Sequence, residues 1–169
     1  AWPKNTDMVR RLTDAEREAV IAAKTRVDDS TIDNGATTSQ MIFLARLYQA
    51  TGEERYRTAF AAALKYLLDG QYENGGWPQI WPKTEGYHAH ITFNDDAIVN
   101  ILEIFDDIRN EQSPYEGDLI DKATRKQVVT AFDKGIDCIL KCQIFVDGEP
   151  TVWCQQHYKD SFEPAPARV

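Results

Sequence analysis

Apolar residues recur along this chain at helical rather than strand spacing, in blocks set apart by polar and glycine-containing stretches. Thr13-Asp14-Ala15-Glu16 has the form of a capping box, in which a hydroxyl serves one exposed amide and the Glu three residues on reaches back to another. Ala-rich sequence follows, which predicts a first helix to about Val27. Met41, Leu44, Ala45 and Tyr48 repeat after Thr37-Thr38-Ser39 and are stopped by Thr51-Gly52, giving a second helix of about three turns. Tyr56, Phe60, Ala63, Leu64 and Leu67 make a third, ended by Gly70. Asn94, Asp95 and Asp96 open a fourth, whose Ile98, Ile101, Leu102, Phe105 and Ile108 form a wide apolar face. The fifth runs from about Asp121 to Cys142, with Val128, Val129, Phe132, Ile136, Ile139 and Leu140 as its apolar positions and Gly135 inside it.

Only Ile91-Thr92-Phe93 and Thr151-Val152-Trp153 invite a short extended reading, so the predicted class is all-α. Trp2-Pro3-Lys4, Trp77-Pro78-Gln79 and Trp153-Cys154-Gln155 stand 75 and 76 residues apart, which points to a repeat. Two helices lie in each interval, and Gln71 and Gln143 close the helices before the last two tryptophans, so the repeating unit is an αα-hairpin. One hairpin cannot bury its own apolar faces; successive hairpins must stack as a solenoid or close as a toroid. About two and a half are present, so residues 1–169 are expected to form a single but incomplete piece of a larger catalytic domain, a solenoid or an (α/α) toroid whose N-terminal and C-terminal remainders lie outside this sequence.

The chain has 169 residues, 43% of them hydrophobic and 27% charged, which sets it apart from disordered tails. Its formal charge of −8, with no basic run, argues against nucleic acid as a partner. Its longest apolar stretches, Met41 to Ala45 and Ala59 to Leu64, are far short of the roughly 18 to 20 residues of a membrane span. A monomer is expected.

The short link between the second and third helices contrasts with the long links at residues 28–37, 71–94 and 143–169, which are predicted to share one rim. That rim carries Asp33-Asn34-Gly35, then Tyr87-His88-Ala89-His90 with Asn94-Asp95-Asp96, then Ala165-Pro166-Ala167-Arg168. Each acidic group also has a structural explanation. Asp33-Asn34-Gly35 is a good turn, and Asn94, Asp95 and Asp96 suit a helix N-terminus. His88 and His90 lack the i, i+4 spacing that presents two imidazoles to zinc; one can instead donate to a substrate oxygen. Trp77 recurs at the repeat period and reads as packing, whereas Trp81 and Tyr87 do not recur and are candidates to face a sugar ring. Lys83, His88 and Lys159 are candidate contacts for substrate carboxylates. Cys138, Cys142 and Cys154 contain no C-x-x-C pair; a bridge from Cys142 to Cys154 is one possibility and leaves an odd thiol.

Asp33-Asn34-Gly35-Ala36-Thr37, Asn74-Gly75-Gly76-Trp77-Pro78-Gln79, the run from Tyr87 to Asp95 and the closing Ala165-Pro166-Ala167-Arg168 together resemble the family 10 pectate lyases, over nearly the whole chain. The resemblance implies a secreted bacterial enzyme that cleaves polygalacturonate by Ca2+-dependent β-elimination on an αα-toroid. It implies Asp33 and Asp95 at the calcium and substrate site with Asn34 beside them, and Arg168 as catalytic base. The family's further basic substrate-holding residues would lie beyond Val169. Three other readings remain. An inverting glycoside hydrolase would use Asp33 and Asp95 as acid and base. Gln71, Gly75 and Trp77 echo a terpene-cyclase motif, but its Asp-x-Asp-Asp proton donor is missing from the sequence. A helical-repeat binding scaffold would make no demand on Asp33, Asp95 or Arg168.

Overall fold

The computed structural model describes residues 10–23, 29–83 and 85–166. Trp2, the end expected for the first helix, and Arg168 lie outside the described residues. Among the described residues five α-helices dominate: α1 Asp14–Ala23, α2 Thr38–Thr51, α3 Glu54–Gly70, α4 Ala97–Arg109 and α5 Lys122–Cys142. The fold is all-α, as the periodicity requires, and among the described residues no helix is long and apolar enough to cross a membrane.

The capping box predicted for α1 forms. The Thr13 amide donates to Glu16 Oε2 at 2.8 Å and the Glu16 amide to Thr13 Oγ1 at 3.3 Å, closing the capping box of α1. The Arg10 guanidinium, followed by the Thr13 bonds, brings the exposed Glu16 carboxyl down to about 2. Asp121 caps α5, its Oδ1 accepting from the Ala123 and Thr124 amides, each at 2.9 Å.

α2 with α3, and α4 with α5, form two packed hairpins. Met41, Phe60, Leu67, Trp77, Phe105 and Val128 are among the side chains buried between them. Each large one contributes about 1.5–3 kcal/mol by leaving water. In α5 the seam differs from the one the large apolar residues predict. Val128, Ala131, Gly135, Cys138 and Cys142 face the core, while Ile136 and Leu140 stay 38% and 59% exposed. Small residues win this seam because the helix sits close to its neighbours: a Cβ on Gly135 would lie 2.6 Å from Leu102 Cδ2 and 3.1 Å from the Trp77 ring. The two buried cysteines and Cys154 are free, so the Cys142 to Cys154 bridge is not formed.

The hairpins differ in their links. α2 and α3 are joined by Gly52 and Glu53 alone, whereas residues 110–121 join α4 to α5. The longer link is anchored by Arg125, which donates to the Tyr115 carbonyl at 3.0 Å and to the Ile108 carbonyl, and by Gln49, which donates to the Pro114 and Glu116 carbonyls, each at 3.0 Å.

Among the described residues four two-residue strands lie in the loops: β1 Ile91–Thr92, β2 Phe145–Val146, β3 Glu149–Pro150 and β4 Gln156–His157. β1 pairs antiparallel with β4, and β2 with β3. Ile91-Thr92 is thus extended as its sequence suggests. Residues 151–153 form no strand of their own; they prolong the β2–β3 hairpin through Thr151 N to Ile144 O at 2.8 Å and Ile144 N to Val152 O at 2.9 Å.

The loop after α3 is pressed onto α5 at Gly75, where φ is +94° and a Cβ would lie 1.9 Å from the Lys134 carbonyl oxygen. Backbone on both sides leaves no side chain to yield. Gly75→Ala is therefore expected to lower unfolding stability by about 3 kcal/mol or more. Chemical denaturation checks this; an unchanged midpoint would show that loop and helix are not docked in this way.

Candidate functional site

Two short 3-10 turns, Asp33–Gly35 before α2 and Asn94–Asp96 before α4, lie against one another on the rim. They are built alike. Asn34 has φ 51° and ψ 30°, and its counterpart Asp95 has φ 54° and ψ 33°. The next residues, Gly35 and Asp96, are also left-handed at φ 66° and 55°. The Ala36 amide donates to Asp33 O in the first turn, and the Ala97 amide to Asn94 O in the second. Each turn is tied to a return loop by the same backbone bond, Ile32 N to Gln79 O at 3.2 Å and Phe93 N to Gln155 O at 2.8 Å. The tryptophan repeat marks these loops. Trp77 Nε1 donates to Leu67 O in α3 and Trp153 Nε1 to Ile139 O in α5, both at 2.7 Å. Trp77 is buried, as its recurrence predicts.

Asp95 and Asp96 do not serve α4 as ordinary caps: no side-chain capping bond closes that helix, in contrast to Asp121 at α5. Both are exposed and left-handed, a conformation that L-residues other than glycine adopt rarely and that Asn and Asp tolerate best. Asp95 Oδ2 accepts from Asn94 Nδ2 at 3.0 Å. Such strain in an exposed acidic turn is typical of sites that receive a ligand.

The carboxylates occupy different positions of the matched turns. Asp33 corresponds to Asn94, and Asn34 to Asp95. Asp33 is accordingly 1% exposed, while Asn34 and Asp95 are open to solvent. Gln79 Nε2 donates to Asp33 Oδ2 at 2.6 Å, and Gln79 Oε1 lies 2.6 Å from His88 Nδ1. Gln79 and Tyr66 escape sequence reasoning. The Tyr66 hydroxyl donates to Ser30 O at 2.7 Å and accepts from Trp81 N at 3.2 Å, tying both loops to α3, and burial pushes it up to about 12. Both residue types are too common in helices and loops to signal a role by themselves.

Trp81, Lys83, Tyr87 and His88 share the same loop and are partly exposed. Trp81 lies over Gly70 at the end of α3, and the Tyr87 ring meets the His88 ring edge-on at 5.4 Å. Lys159 stands further along the rim: its carbonyl accepts from Asn74 Nδ2 and its ammonium lies 5.6 Å from the Tyr72 ring. His90 packs edge-on against Tyr158 at 5.0 Å. The donors near the paired turns suit a hard cation: the Asp33 and Asp95 carboxylates, the Asn34 amide, and the Asn94 Oδ1, which is buried with no hydrogen bond among the described residues. Among those residues no group of three or more His, Cys, Asp or Glu converges, so oxygen from a ligand or water would have to complete a coordination shell.

The architecture defines an all-α hairpin-repeat protein with an oxygen-rich, aromatic-flanked rim. The chain belongs to the pectic acid lyase family, whose model matches residues 1–169. A solved family 10 polysaccharide lyase from Cellvibrio cellulosa is 40% identical, with a TM-score of 0.81 over 83% of this chain and 44% of that one. An aspartate-to-alanine mutant of the Cellvibrio cellulosa family 10 lyase, solved in complex with trigalacturonic acid, is 39% identical with the same TM-score and coverage. The chain thus spans less than half the length of these structures. The comparison with curated proteins finds no match.

Burial, and then the like charge of Lys159, hold His90 below the ordinary histidine value. Its titration by NMR should give a lowered midpoint, and Lys159→Met should raise that midpoint while leaving it below the ordinary value. Because the folded value lies below the unfolded one, this group withdraws stability as the pH falls from the ordinary histidine range through the folded midpoint. A midpoint at or above the ordinary value would contradict the packing of this rim.

Proposed function

We propose that this chain carries the calcium and substrate site of a pectate lyase that cleaves α-1,4-linked polygalacturonate by β-elimination, giving 4,5-unsaturated oligogalacturonides. The observation that carries this reading is the pair of matched left-handed turns, which brings Asp95 and the Asp33 turn together without using Asp95 or Asp96 as helix caps. Membership of the family and a relative solved with trigalacturonic acid support the choice of substrate.

Asp33, Asn34 and Asp95 are the residues that would hold Ca2+. When bound, it would supply positive charge beside the uronate carboxylate, where negative charge develops as the C5 proton leaves. It would also reverse the local sign of an acidic protein toward a polyanion. Arg168 takes the C5 proton in this reading, following the family resemblance. A guanidine serves as base only where nearby cations and desolvation favour its neutral form. The C5–H electrons become the C4–C5 double bond, the C4–O bond breaks, and the departing oxygen takes a proton from the guanidinium or from water. Trp81 and Tyr87 offer ring faces to the sugar, and Lys83, His88 and Lys159 offer polar contacts to uronate oxygens. A secreted, monomeric enzyme accords with that substrate.

The reading predicts an ultraviolet absorbance rise from polygalacturonate that chelator abolishes and Ca2+ restores. Arg168→Ala and Asp95→Ala should each lower kcat by about a hundredfold or more. New reducing ends without absorbance would replace elimination by hydrolysis, and full activity in Asp95→Ala would remove the acidic turn from the site.

A further inference from the structure

Gln79 is 5% exposed and joins three segments of the rim. Its carbonyl accepts from Ile32 N at 3.2 Å and from Thr31 Oγ1 at 2.6 Å, while its side-chain amide spans Asp33 and His88 at 2.6 Å on each side. The chemistry of these groups fixes the direction of the relay. Asp33 Oδ2 accepts from Gln79 Nε2, so the end of the amide that faces Asp33 is the NH2. The end that faces His88 is then the carbonyl, which also only accepts, so His88 Nδ1 carries the hydrogen. The neutral ring is held as the Nδ1–H tautomer, the form that free histidine favours less, and its Nε2 is an acceptor.

The second turn shows that this relay is not needed to build the fold. Gln155 stands where Gln79 stands and makes the matching backbone bond, its carbonyl accepting from Phe93 N at 2.8 Å; it accepts from Asn94 N at 3.1 Å as well, where the Gln79 carbonyl takes the Thr31 hydroxyl instead. Its residue is exposed, and Asn94 replaces the carboxylate. The turn forms without the side-chain link. We propose that Gln79 is a positioning residue that couples Asp33 to His88, orienting the carboxylate and holding the imidazole as its Nδ1–H tautomer, so that a group meeting Nε2 of the neutral ring must be a donor such as a sugar hydroxyl. The kinetic consequence rests on the lyase reading above; the tautomer does not.

The test is the ring-nitrogen NMR spectrum of the full chain at about pH 8, above the histidine range. The sequence holds three histidines, and His88→Ala assigns the His88 signals by their loss. His157 is an internal reference: its Nε2 accepts from Cys154 N at 3.1 Å and its Nδ1 lies 2.7 Å from Phe162 O, so it is Nδ1–H in every folded variant. Wild-type His88 should show a protonated Nδ1 and an unprotonated Nε2. Gln79→Met should move it toward Nε2–H with His157 unchanged, whereas Gln79→Glu, which still accepts from the ring, should keep Nδ1–H. In the lyase assay, Gln79→Met and His88→Ala should each raise KM by about tenfold, and the double variant no further. Nε2–H in the wild type overturns the proposal whether or not any variant folds, and additive KM effects overturn the coupling. If the chain has no lyase activity, the lyase reading falls while the tautomer still decides the relay.

Discussion

Two backbone hydrogen bonds, from Ile32 to the Gln79 carbonyl and from Phe93 to the Gln155 carbonyl, are the constraint on which the rim depends. The helices alone would leave three long loops to order themselves, each at a substantial cost in backbone entropy. Each bond instead fastens the entry to one helical hairpin to the loop that leaves the same hairpin. The return loop is fixed in turn by a tryptophan whose indole donates to the last turns of α3 or α5. Burial of Trp77 and the close approach of Gly75 to α5 thereby determine where the first acidic turn stands.

On this duplicated scaffold the chemistry is unequal. The same backbone shape carries a buried carboxylate and an exposed amide at Asp33-Asn34, and a partly buried amide and an exposed carboxylate at Asn94-Asp95. Offsetting the charges by one residue keeps both turns foldable: two carboxylates at the buried position would each need a donor like Gln79, and Gln155 is exposed and does not supply one. An open carboxylate beside an anchored one is also a sound arrangement for a hard cation, because one ligand stays rigid while the other adapts.

Most of the fold is legible in the sequence because its signals are local. The capping box at Thr13, the stop at Gly52 and the start of the fifth helix at Asp121 all act within one helical turn. The tryptophan spacing exposes the hairpin repeat because one indole hydrogen bond, to the end of the preceding helix, recurs at Trp77 and Trp153. The seam of α5 is less legible: periodicity draws attention to Ile136 and Leu140, while the contact is made by residues small enough for close approach. The site is legible in its acidic turns and illegible in its wiring. Asn94-Asp95-Asp96 reads as a helix start, and nothing local announces the left-handed backbone of Asp95 and Asp96 or the bonds from Phe93 and Asn94 to Gln155 beside it. The Asp33, Gln79 and His88 link joins residues 46 and 9 positions apart, a distance no local pattern spans.

Amide hydrogen exchange tests the clamp most directly, because it reads these backbone bonds one at a time. The amides of Ile32, Phe93 and Asn94 should exchange as slowly as those in the core of α4, and far more slowly than those of α1, in which no residue is buried. Exchange of all three at the rate of α1 would mean that the turns are not held, and that the rim does not bring Asp33 and Asp95 together as a site.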